Sequence, residues 1–155
     1  MKREIEQKVE DFKKVRMELL EFVQDLTPAQ KNSKAFDKWT LKEVLAHMSG
    51  WDLQNVEDLD EMLQSRETPW IPNFDEYNNH SVAEAEDLSF SEVYQNFLES
   101  GAVFIETYKN LPAEVVAIHL WHGHDHTPIS LLEENISHYT NHLAEMKKVF
   151  ASSIN

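Results

Sequence analysis

Residues 127–150, "TPISLLEENISHYTNHLAEMKKVF", place apolar side chains at Ile129, Leu132, Ile136, Tyr139, Leu143, Met146 and Phe150. The intervals alternate between three and four without a break, the seam of a helix that lies lengthwise against other helices. Thr127 can cap the helix and Pro128 can occupy its first turn. The same stretch holds His138 and His142. Side chains at i and i+4 project from one helix face about a turn apart. Two imidazoles so placed serve equally as arms of a metal site or as two polar residues that share a face.

Upstream, the pattern recurs. Ile5, Val9, Phe12, Val15, Leu19, Phe22 and Leu26 make one apolar stripe over about residues 3–26. The "TPAQ" that follows can start a short helical piece, with Thr27 as cap and Pro28 in the first turn. In "WTLKE", Thr40 and Glu43 have the spacing of a reciprocal capping box. A second helix then runs to about residue 65 through Leu41, Val44, Leu45, Met48, Trp51, Leu59, Met62 and Leu63. Ser89 and Glu92 repeat the capping-box spacing, and Phe90, Val93, Phe97, Phe104, Ile105 and Tyr108 carry a third long helix as far as "NLP". Between Glu67 and Leu88 regularity fails. The segment "TPWIPNFDEYNNH" has two prolines and the rings of Trp70, Phe74 and Tyr77, and reads as an ordered loop, either functional or a plain crossover. The expected fold is all-α: a single domain over residues 1–155, a four-helix bundle with a long irregular connection between helices two and three.

Composition narrows the function. Only three glycines occur, which favours helices joined by few turns. A formal charge of -14 repels a phosphate backbone, so no nucleic-acid partner is expected. From Asp52 to Glu99 thirteen acidic residues stand against one Arg, Arg66, and this negative third reads as a solvated face. No apolar run approaches the roughly 18 residues of a membrane span, so no membrane partner is expected. The opening "MKREIEQKVEDFKK" is too charged for a secretory signal, and a cytoplasmic location fits best. Without cysteine there are no disulfides, thiolate ligands or cysteine nucleophile. No G-x-S-x-G elbow is present to support serine hydrolysis.

The best third partner for the histidine pair is His47, in "TLKEVLAHMSGWD". At about 100° per residue it lies on the flank of the Val44, Met48 and Trp51 stripe. His138 and His142 likewise lie on the flank of their seam, a placement that suits the mouth of a bundle and equally suits half-exposed histidines that bind nothing. Tyr139 follows His138 where a zinc protease needs its glutamate base. A rival cluster, His119, His122, His124 and His126 with Asp125, sits on the irregular "HLWHGHDH". Glu43 and Glu134 each precede a histidine by four, as ring-orienting acceptors or as caps and surface ion pairs. Trp121 with Trp70, Phe74 and Tyr77 can wall a pocket or simply pack. Gly50 either admits a close neighbour or is a tolerated helix glycine.

Trp39 eight residues before His47 ("W-T-L-K-E-V-L-A-H"), an acidic irregular middle and H-x-x-x-H on the last helix together resemble the DinB/YfiT superfamily of four-helix bundles over nearly the whole chain. "FDEYNN", "LSFSEVYQNFLES" and "HTPISLLEENISHY" are similar to its ClbS/DfsB branch. The resemblance implies a divalent metal, zinc or nickel, on His47, His138 and His142. Three neutral imidazoles suit such an ion and leave a position for water or substrate. It also implies a metal-dependent hydrolase or thiol S-transferase acting on a small molecule, with a low-molecular-weight thiol as cosubstrate, or a protein that disarms a reactive metabolite. The alternative is a non-catalytic, stress-related, ligand-binding bundle. The resemblance also implies a capacity to pair through helices into a homodimer.

Overall fold

The computed structural model describes residues 2–34, 36–64, 74–112 and 127–151. These form six helices: α1 (Lys2–Gln24), α2 (Pro28–Lys31), α3 (Leu41–Leu63), α4 (Phe74–Glu84), α5 (Phe90–Lys109) and α6 (Pro128–Ala151). Among the described residues there is no strand, only an isolated bridge between Phe36 and Trp39. The protein is all-α, and no described helix is long and apolar enough to cross a membrane.

The start signals act as their spacing predicts. Thr27 accepts from the amide of Gln30, whose side chain returns to the Thr27 amide, and Ser89 with Glu92 does the same for α5. Glu43 N donates to Thr40 Oγ1, and Thr40 N to Glu43 Oε1, each at 3.3 Å, at the head of α3. Ser130 N donates to Thr127 Oγ1 at 3.1 Å at the head of α6. Each pair satisfies backbone donors that a helix end leaves open, an effect of about 1 kcal/mol.

The seams meet where their periodicity aims them. Phe12 of α1, Phe104 of α5 and Tyr139 of α6 are wholly buried. The Phe12 ring stands 4.9 Å from Phe104 and 4.8 Å from Tyr139, edge to face in both cases. Full burial of rings this size stabilises by about 1.5–3 kcal/mol each. α3 packs chiefly on α5, and α1 on α6. Arg16 of α1 reaches across to donate from Nη2 to the Leu98 carbonyl at 2.8 Å. Gly101 leaves room for that guanidinium, because a Cβ there would stand 3.1 Å from Arg16 Cζ.

Two expectations are corrected. Residues 74–84 are helical, whereas the sequence reads as an irregular loop there. α4 has no buried residue, so it lacks the apolar stripe by which a helix is recognised. It docks on α3 at isolated points: the Phe74 and Tyr77 rings pack on Trp51, and Tyr77 donates its hydroxyl to the Gly50 carbonyl at 2.8 Å. Gly50 admits this approach, since a Cβ there would lie 3.0 Å from Ser81 Cβ and closer still to its hydroxyl oxygen. The second correction concerns Asp52, counted above with a solvated acidic face. It is 0% exposed.

Candidate metal centre

His47, on α3, is 7% exposed, a deeper position than the flank of a stripe implies. His138 and His142, on α6, are half-buried. The structure brings the three together: His138 Nε2 stands 3.0 Å from His47 Nε2 and 3.0 Å from His142 Nε2. One nitrogen from each ring lies within 4.8 Å of the other two. The rival histidines His119, His122, His124 and His126, with Asp125, Trp70 and Trp121, lie outside the described residues.

Asn78 of α4 decides the protonation of His47. Trp51 Nε1 donates to Asn78 Oδ1 at 2.6 Å, and His47 Nδ1 stands 2.9 Å from the same oxygen. An indole can only donate, so the side chain must present its oxygen here and not its amide nitrogen. His47 Nδ1 therefore carries the ring proton, and Nε2 of the neutral ring turns a lone pair toward the other two histidines. Glu43, expected to orient this ring or to cap, is engaged in the Thr40 cap. Asn78 was invisible to the sequence because it sits thirty-one residues away on a helix with no apolar signature.

Neutral rings are favoured throughout. Burial is the main cause that lowers all three: His138 is held down at about 3 and His142 at about 4, each further lowered by neighbouring histidines. His47 is lowered too, against the raising effect of its bond to Asn78, and Lys38 adds to the lowering. The tight turn over residues 36–39, with Asp37 in the left-handed region at φ 43°, sets Trp39 beside this ring, 5.1 Å between centroids. On the α4 side, Trp51 is walled by Tyr77 at 4.6 Å and Phe74 at 5.5 Å. Phe74 and Tyr77, expected in a loop, thus stand on a helix.

The donor set fits a divalent cation. An imidazole nitrogen carries either a proton or a lone pair, so the two 3.0 Å contacts at His138 Nε2 are met together only by one shared proton or by a cation. Two nitrogens bound to one ion at roughly 2.0–2.1 Å stand roughly 3.0–3.4 Å apart, which these spacings meet. Three neutral nitrogen ligands with an outer acceptor on one of them match the make-up of a catalytic site, which keeps a position open, better than that of a closed structural one.

Behind the histidines lies a buried polar knot. Asp52 of α3 accepts from Tyr139 Oη at 2.6 Å, Asn135 Nδ2 at 3.0 Å and Ser100 Oγ at 3.1 Å. Burial raises the Asp52 carboxyl to about 6, although those three bonds and Arg16 draw it down. Burial and Asp52 together hold the Tyr139 hydroxyl far above its ordinary value, so it remains a donor.

An all-helical protein whose helices converge three neutral imidazoles defines a class of candidate metal proteins. Residues 11–146 match the DinB superfamily model, and the chain belongs to that superfamily. No curated protein and no solved structure is matched.

Proposed function

We propose that this DinB-superfamily protein is a metal-dependent enzyme acting on a small organic molecule, with the four long helices as its bundle and His47, His138 and His142 as ligands to zinc or nickel. The convergence of one ring nitrogen from each of the three histidines within 4.8 Å, one ring with its tautomer fixed from outside, carries this proposal. Membership of an often metal-binding superfamily supports it. A bound divalent ion would supply Lewis acidity at its open position. The chain's own residues present the lone pairs, keep the rings neutral by burial, and set Trp39 against the His47 ring while Trp51 holds its Asn78 partner.

With no cysteine in the chain, any sulfur nucleophile must come from a low-molecular-weight thiol, while water serves in the hydrolytic form of the reaction. The ClbS/DfsB likeness favours a reactive metabolite as the substrate. Elemental analysis of untagged protein beside His138→Ala and His142→Ala tests the metal: about one ion per chain is expected, lost in both variants. Equal metal content in all three would move the protein to the non-catalytic, ligand-binding class. Turnover of electrophiles with a panel of small thiols, set against hydrolysis of an activated ester or amide, then separates sulfur from water.

A further inference from the structure

The apolar seam of α6 leaves its own register open. Leu132, Ile136, Tyr139, Leu143 and Met146 recur every three or four residues, so sliding α6 by one turn, about 5.4 Å, would again set apolar side chains against the core. The histidines tolerate no such slip, because His47 Nε2 meets His138 Nε2 at a single offset of the two helices. Something beyond apolar packing must select that offset.

We infer that Asp52 is the positioning residue that locks α6 onto α3 in the register at which the three histidines converge. α6 presents two parallel i, i+4 rows: Asn135 with Tyr139, and His138 with His142. The first row donates both its polar groups to the Asp52 carboxylate, at 3.0 Å and 2.6 Å. The second row meets His47, five residues before Asp52 on α3. Later positions on α3 thus face earlier ones on α6, so the helices run in opposite directions, pinned at two adjacent levels.

Asp52 is 0% exposed and Asn135 2%, so a slip would strand a carboxylate and an amide with no water to replace their partners. A buried polar group that fixes helix register is the best-attested use of such a group. Ser100 provides an internal contrast. It donates to the same carboxylate at 3.1 Å but belongs to α5, and so holds Asp52 without holding α6.

This inference rests on the metal proposal for its functional meaning, yet the register can be read without any ion. The experiment compares wild type, Asp52→Asn, Tyr139→Phe and Ser100→Ala, three changes of a few atoms. Each is examined by nuclear Overhauser contacts between the His47 and His138 rings in metal-free protein, by competitive zinc titration, and by urea midpoint. In wild type the ring contacts are expected, since the centroids stand 4.9 Å apart. Tyr139→Phe and Asp52→Asn should weaken those contacts and lower zinc affinity about 10–100-fold, the usual cost of disturbing groups behind a ligand. Ser100→Ala should lose stability yet keep the contacts and stay within about twofold in affinity. If affinity in all three variants simply tracks loss of stability, or if both Tyr139→Phe and Asp52→Asn keep the wild-type ring contacts, Asp52 is not the lock. A wild type with ring contacts but no zinc uptake overturns the metal proposal alone, and the pattern of contacts among the variants still decides the register.

Discussion

Replacing Asn78 tests the tautomer of His47 in both directions. Asn78→Leu removes the oxygen that accepts from His47 Nδ1 at 2.9 Å and from Trp51 Nε1 at 2.6 Å. The ring is then free to move its proton to Nε2, where it blocks the lone pair, and the indole loses its acceptor. Loss of an outer partner of this kind lowers metal affinity about 10–100-fold, or about 1.4–2.7 kcal/mol. Asn78→Asp keeps an acceptor for both donors, and its charge makes the His47 ring more basic, so it should bind zinc at least as tightly as wild type. Competition with a chromophoric chelator near pH 7.5 measures all three proteins. Circular dichroism checks that α4 stays helical, since Tyr77 still donates to the Gly50 carbonyl. Leu within twofold of wild type, or Asp weaker than Leu, would refute the assignment of the proton to Nδ1.

Acid should destabilise the metal-free protein through its histidines. Folded His138 at about 3 and His142 at about 4 lie below their ordinary 6.5, so the unfolded chain binds more protons and stability falls as pH drops from 6.5 toward those values. Asp52 opposes this: raised from 3.8 to about 6, it takes up its proton in the folded state first and adds stability over that window as pH falls. Urea midpoints of wild type should still decline between pH 6 and 4, and the decline should shrink when His138→Ala and His142→Ala are combined, whereas an unchanged decline would contradict the lowered histidine values. Gly50→Ala gains up to about 1 kcal/mol of helix propensity but drives its Cβ into Ser81. A net loss of about 1–3 kcal/mol with weaker zinc binding is expected, partly relieved by adding Ser81→Gly, and a stabilised single variant would show that α4 yields without cost. Tyr108→Phe leaves the Pro128 carbonyl, which now accepts from the hydroxyl at 2.7 Å, buried without that bond. Thermal melts should register a loss of about 1–2 kcal/mol, and no change would mean that another donor takes its place.

The four long helices were legible in the sequence because each carries a three-and-four apolar seam and most have a capping pair at the head. Burial of Phe12, Leu19, Tyr139 and Met146 follows directly from that periodicity. The histidines of α6 were legible as a pair for the same reason, since i and i+4 share a face wherever the helix lies. Tertiary structure alone decided the rest. Whether His47 would face that pair depends on the offset of α3 against α6, which a repeating apolar seam does not fix. α4 was unreadable because it binds through the Phe74 and Tyr77 rings and the polar groups of Tyr77 and Asn78, with no residue buried, and such isolated points leave no periodic trace. Asp52 looked like one more acid in a negative stretch. Its partners lie forty-eight, eighty-three and eighty-seven residues along the chain, so only the folded chain turns a surface charge into a buried acceptor.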